Sequence, residues 1–229
     1  MAKENSIIIL GTAHLSSTPG KCSPDKSLIE ARYSREIVED IKSILLGYGY
    51  EVLVDYPALD PLPEIKSSSY KTEQLRELSW RVKFVNDIVK KNPKKNVIYV
   101  SVHVNGAGSG ASWMGARGWS AYTTPGKTKS DQLACDLYWA ANKYLNQEYK
   151  STFDSSDGKQ RPIRTDMTDG DPDMESNLYV LAKTLCPAVL TENLFQDNKK
   201  DVEFLLSDVG RHQIARIHVE GIIKYIQRC

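Results

Sequence analysis

The sequence predicts an α/β protein of three layers, with a mainly parallel or mixed central sheet covered by helices on both faces. Three observations carry this. Short β-branched runs alternate with longer stretches whose apolar residues recur at helical spacing. The run NVIYVSVHV at residues 96–104 is apolar at successive positions, as in a strand buried on both faces. No internal repeat or linker-like stretch divides the 229 residues, so one domain over residues 1–229 is expected.

The elements follow in order. Residues 6–10 form a first β-branched strand, and a Ser/Pro/Gly loop occupies residues 16–24. Ser27 is placed to open a helix whose stripe is Ile29, Tyr33, Ile37, Ile41, Ile44 and Leu45, stopped by Gly47 and Gly49. Residues 50–54 read as the second strand. Residues 58–71, with two prolines and three serines, read as loop. Leu75, Leu78, Val82, Val85 and Val89 mark a second helix that ends before Pro93. After the strand at 96–104 comes a small-residue loop, 106–118, then a strand at 119–123. A helix over 131–144 follows, with Leu133, Leu137, Ala141 and Tyr144 inward. Residues 150–172 are expected as a long surface excursion. A short helix near 177–183, a strand at 188–191 and a final helix over 213–226 complete the chain.

Composition excludes several classes. The net charge is +1, so no global field draws the chain to nucleic acid or anionic lipid. No stretch approaches the roughly 20 apolar residues of a membrane span, and residues 7–10 are too short for a signal-peptide core. Cytoplasmic synthesis is the expectation. Cys22, Cys135, Cys186 and Cys229 form no CxxC pair and no disulfide framework, and are read as reduced.

In a parallel sheet, ligands bind beyond the carboxyl ends of the strands. His14 follows the first strand, His103 ends the third and Glu192 ends the last. Glu30 lies in the first turn of the first helix, which starts at the same edge. A catalytic zinc takes three nitrogen or oxygen ligands and keeps one position open. His14, Glu30 and His103 supply that set, leaving Glu192 free to move a proton. Each residue also has a plainer reading. Glu30 lies three after Ser27 and matches a capping box. His14 alone is a loop histidine, His103 a hydrogen-bonded core histidine, and Glu192 a solvated strand-end carboxylate.

The ordered motifs resemble the zinc-dependent N-acetylmuramoyl-L-alanine amidases of the type-3 cell-wall family. YVSVHVNG resembles the family's Ser-x-His-x-Asn segment, and PAVLTENLFQDN its Pro-Ala-x-Leu-x-Glu-x-x-Phe-x-x-Asn segment. ARGWSAYTT and RVKFVN, with Arg81 and Asn86, resemble two further stretches in the same order. The resemblance implies that His14, Glu30 and His103 bind Zn2+ and that Glu192 is the catalytic glutamate. It implies hydrolysis of the amide between N-acetylmuramic acid and L-alanine in peptidoglycan, by a monomer acting on the wall after release. A phage endolysin is one setting, an exported bacterial amidase another. The alternatives are a zinc carboxypeptidase-like or deacetylase-like hydrolase and an inactive wall-binding or phage structural module. Carboxypeptidases of that kind place a glutamate three residues after the first histidine, where this chain has Ser17.

The family's glycines after the first histidine are replaced by Leu15, Ser16 and Ser17. Asn105, Trp113 and Trp119 are candidate substrate contacts, the tryptophans as sugar platforms at the cleft mouth. His212 and His218 are read as surface or packing residues. The acidic run at 165–175 lacks the EF-hand ligand order and reads as a solvated loop that could attract an amine.

Overall fold

The computed structural model describes residues 3–145, 148–153 and 161–229. Residues 154–160 of the expected 150–172 excursion lie outside the described residues.

Alternating sides of the strands feed two cores. In β1 (Ser6–Thr12), Ile8 and Leu10 pack on one face, while Ile7 and Ile9 pack on the other. β3 (Asn96–Asn105) repeats this, with Ile98, Val100 and Val102 opposed by Val97 and Tyr99. The first face is covered by α1 (Glu30–Gly47), α3 (Lys129–Tyr144) and α7 (Asp208–Ile226), through residues such as Ile37, Leu133 and Ile214. The second is covered by α2 (Tyr70–Lys91) and the one-turn α5 (Tyr179–Ala182). A three-layer α/β arrangement results, as the alternation of strand and helix patterns predicts.

The sheet runs β2-β1-β3-β6-β4-β5, with β2 Glu51–Val54, β4 Ser120–Thr123, β5 Met174–Glu175 and β6 Ala188–Phe195. β2, β1, β3 and β6 are parallel, and β4 runs antiparallel to β6. The sheet is therefore mixed. Two short helices, α4 (Glu148–Ser151) and α6 (Lys199–Leu205), complete the elements.

Several local expectations change. Ser27 caps nothing. The N-cap of α1 is Ile29, without a side-chain cap, and Ser27 instead bonds to Asp25. The Glu30 carboxylate is directed away from its own helix start, so the capping box does not form. On α2, Leu75 is 55% exposed, whereas Glu73, Glu77 and Arg81 are buried. Charge partners, not apolar periodicity, decide which side of α2 faces inward. The last strand continues past Glu192 to Phe195, and α7 begins five residues before Gln213, where the Ser207 side chain accepts from the Gly210 N–H.

α7 is buried along most of its length because it packs against both α1 and α3. A Cβ at Gly221 would lie 2.8 Å from the Leu137 Cα, so glycine allows the α3–α7 approach. His218 is fully buried in the same helix. Its Nδ1 donates to the Ile214 carbonyl at 2.8 Å, which leaves Nε2 to accept from the Thr191 hydroxyl at 2.9 Å. Burial lowers its pKa to about 4.

That shift has a defined sign. The unfolded imidazole titrates near 6.5, so above that pH the neutral form costs nothing and the stability is fully present. As pH falls from 6.5 to 4 the unfolded chain binds a proton that the folded chain refuses, and stability declines by on the order of 3 kcal/mol. Urea unfolding across this window should show the decline in the wild type and a smaller one in His218→Gln. Equal slopes in the two proteins would remove His218 as the cause.

Candidate metal centre and active site

Chain direction brings four side chains to one rim. β1 delivers the chain to His14, which stands just beyond the strand at φ 44°. β3 carries His103 near its carboxyl end, and in register beside it β6 carries Glu192. Glu30 opens α1 at the same edge, with a side chain only 1% exposed.

Glu30 is the centre of the cluster. Its Oε1 accepts the Val104 N–H at 3.1 Å and lies 3.2 Å from His103 Nδ1. Its Oε2 lies 3.5 Å from His14 Nε2 and is buried without a hydrogen bond. The two imidazoles meet edge to face, with centroids 5.1 Å apart. Donor atoms of His14, Glu30 and His103 all lie within 4.8 Å of one another. Two nitrogens, one carboxylate oxygen and an orphaned buried oxygen among them suit a single metal ion. Burial pulls the His14 pKa down to about 3, so the ring is neutral and can act as a ligand at physiological pH. Burial alone would raise Glu30, but His14, then the hydrogen bond and charge of His103, and then Lys21 outweigh it and lower its pKa to about 2.

Glu192 faces the same cavity, of about 240 Å3, whose lining also includes His14, His103, Lys21 and Arg81. Its Oε2 is buried and makes no hydrogen bond. Burial, and then the Glu30 carboxylate, push its pKa well above the usual range, with Lys21 opposing. Tyr122, on the neighbouring antiparallel strand, is raised by burial and then by Glu192.

The other expected contacts divide. Asn105 ends β3 near this rim, where its Oδ1 accepts the Gly106 N–H. Trp113 is 38% exposed in the loop after β3, and that loop is anchored by the Met114 N–H to the Asp197 carbonyl at 2.6 Å. Trp119 is not a sugar platform. It is fully buried, its Nε1 donates to Asn193 Oδ1 at 2.8 Å, and it packs edge-on against Tyr138. Preceding a strand whose inner face is core, its ring has no route to the cleft.

Motif reading assigned no role to the buried polar group behind His14. Arg81 Nη1 meets both Asp55 oxygens, at 2.8 and 2.9 Å, and Thr12 Oγ1 at 3.1 Å. Its other side pairs with Glu77 at 2.7 Å. Asp55 accepts the Thr12 N–H at 3.0 Å and the Tyr99 hydroxyl at 2.8 Å. Thr12 is the last residue of β1, two before His14, so this group fixes where the histidine loop departs. A polar stripe beside Val82 and Val85 was the available signal. On the opposite flank, Asn193 Nδ2 donates to the His103 carbonyl at 2.9 Å.

The family model described as N-acetylmuramoyl-L-alanine amidase (Amidase_3) matches residues 8–224. This chain belongs to that family. Among solved structures of such amidases, CwlD from Clostridioides difficile, in complex with the GerS lipoprotein, superposes with a TM-score of 0.73 at 20% identity, covering 98% of this chain and 100% of that one. The catalytic domain of CwlV from Bacillus (Paenibacillus) polymyxa gives 0.65 at 21% identity, covering 97% and 98%. Two curated relatives are each 45% identical over a shorter stretch: an endolysin of Bacillus phage SPP1 over 51 residues, and the amidase CwlM of Bacillus licheniformis over 49. Those stretches are 22% and 21% of this chain, and span 19% of the length of each relative.

The buried Arg81 group yields a prediction for this amidase-family chain. Arg81→Lys cannot hold Asp55 and Glu77 at once, as the Nη1 and the Nε and Nη2 of the guanidinium do. Metal affinity, measured by competition with a chromophoric chelator, should fall by about 10-fold to 100-fold, as for other supports of ligand residues. Unchanged affinity would show that His14 is held without it.

Proposed function

We propose that this chain is a zinc-dependent N-acetylmuramoyl-L-alanine amidase acting on peptidoglycan, with residues 1–229 forming one catalytic unit that works as a monomer. The observation that carries the reading is the clustering of His14, Glu30 and His103 beside an unpartnered Glu192 oxygen in one cavity. His14, Glu30 and His103 would hold the ion, which when bound supplies Lewis-acid polarisation of the scissile carbonyl and a lowered water pKa.

The chain's own residues do the rest. A cation held by His14, Glu30 and His103 would offset the Glu30 charge that raises Glu192; ionised in this way, Glu192 Oε2 accepts the proton of the attacking water and passes it to the leaving L-alanine nitrogen. The Val104 N–H holds Glu30 so that its second oxygen stays turned to the two imidazoles. Ser101 Oγ, 3.1 Å from His103 Nε2, fixes the other side of that ring. Asn105 and the exposed Trp113 rim are the contacts proposed for glycan or stem peptide. A carboxypeptidase-like site gains no support, because Ser17 is hydrogen-bonded to Glu73 at 2.5 Å and stands outside the cluster. Among the described residues no helix is long and apolar enough to cross a membrane. The proposed place of action is the wall, reached after release or export.

Purified peptidoglycan should yield new L-alanine amino termini with the zinc-loaded chain. Activity should vanish on chelation and return with zinc. Glu192→Gln should retain the metal and lose at least about 100-fold in kcat. Activity surviving in Glu192→Gln would overturn its role, and a zinc-loaded protein inert on walls of differing peptide chemistry would overturn the substrate.

A further inference from the structure

Lys21 is held on a built platform beside the histidines. Its carbonyl accepts the Glu30 N–H at 3.0 Å, and Cys22 pairs with Ile29 in an antiparallel bridge, so the segment before α1 folds back on the helix start. Two glycines then let this segment pack backbone to backbone against the 106–118 loop. Gly20 turns at φ 71°, and a Cβ there would lie 2.7 Å from the Ser109 carbonyl oxygen. Gly110 turns at φ 80°, and a Cβ there would lie 2.9 Å from the Gly20 carbonyl oxygen and 3.0 Å from that of Cys22. The Lys21 backbone is thus fixed from two sides, while its side chain lines the cavity of His14, His103 and Glu192.

Lys21 and Arg81 both line this cavity, but Arg81 is committed to Asp55, Thr12 and Glu77. The Lys21 ammonium has one carboxylate within reach among the described residues, Glu30 Oε2 at 4.0 Å, which is beyond hydrogen-bonding distance. Its side chain is 37% exposed, so a ligand entering from solvent can meet it. Its charge bears on His14, Glu30 and Glu192 alike. The balance of charge gives it a task. A divalent ion held by His14, Glu30 and His103 is offset by Glu30 and by ionised Glu192. Lys21 is the charge that leaves the site net positive, which favours a reaction that creates a negative oxygen there.

We propose that the Lys21 ammonium is a further catalytic group, which binds the negative oxygen formed on the scissile carbonyl; this rests on the amidase reading. Water adds to the carbonyl carbon and its proton goes to Glu192, so the C=O π pair moves to oxygen and leaves it anionic. When that pair re-forms the carbonyl, the C–N bond breaks, and the nitrogen keeps its electrons and takes the proton from Glu192. Lys21 exchanges no proton in either step. An ammonium is a compact point charge on a flexible stem, suited to following the oxygen as the carbon turns tetrahedral. Its contact to Glu30 is too long to compete with a charge-assisted hydrogen bond to that oxygen.

Two measurements on the zinc-loaded full chain test this. Lys21→Met should lower kcat on peptidoglycan by about 100-fold, with KM and zinc affinity unchanged, and Lys21→Arg should keep most of the wild-type rate. Dimethylphosphinate, a tetrahedral monoanion, should bind the wild type and Lys21→Arg about 10-fold more tightly than Lys21→Met in calorimetry. Lys21→Gln serves if the methionine variant does not fold. An unchanged kcat, a rise in KM at constant kcat, a loss matched by lost zinc affinity, or dimethylphosphinate binding that is equal in all variants or absent would each overturn the role. A wild type that holds zinc but cleaves no wall refutes the amidase reading instead, and the dimethylphosphinate comparison still decides whether Lys21 is the anion contact.

Discussion

The Glu30 carboxylate is the constraint around which this protein is built. An ionised group with a side chain 1% exposed is unstable in a protein interior unless donors or cations surround it. One oxygen is satisfied by the Val104 N–H, which fastens the start of α1 to the end of β3. The other lies 3.5 Å from His14 Nε2 and 4.0 Å from the Lys21 ammonium and accepts no hydrogen bond. Satisfying that oxygen is a task for an ion, and the two imidazoles stand where such an ion would also need them. One residue thus joins a helix to a strand and leaves a defined need at the rim.

Two further networks keep the rim from relaxing. On one flank, Arg81 and Asp55 hold Thr12 and so fix the departure of the His14 loop. On the other, Asn193 links the His103 carbonyl, the Trp119 indole and the Thr191 hydroxyl, which in turn reaches His218 in α7. Glu192 is set between Thr191 and Asn193, both fully buried, so its backbone is held on each side while its own oxygen stays free. Among the non-glycine residues with positive φ are His14, just beyond β1, and Leu194, in β6 next to Asn193. Such conformations persist where surrounding contacts over-determine them, and these two networks are those contacts.

Much of this was legible in the residues. The β-branched runs located the main strands, and the carboxyl-edge rule placed all four rim residues correctly. Legibility failed where burial depended on partners distant in sequence. Glu77 and Arg81 look like solvated helix charges until Asp55, 26 residues before Arg81, is brought beside them. The spacing of Ser27 and Glu30 is that of a capping pair, but Glu30 has a stronger donor 74 residues away at Val104. Trp119 reads as an exposed aromatic near a loop, and only the pairing with Asn193 reveals a core residue. Local pattern reported element type well. It could not report which polar groups find each other across the sheet.

The position of β6 has a consequence for when the protein becomes competent. It is the last strand along the chain, yet it lies inside the sheet, between β3 and β4. A nascent polypeptide that has left the ribosome only as far as β5 already holds His14, Glu30 and His103, but not Glu192. The facing edges of β3 and β4 remain unpaired until residues 188–195 insert between them. Completion of the sheet and arrival of the fourth rim residue are therefore a single late event in biogenesis. Until then β3 and β4 each present an open strand edge, a template for pairing with another chain.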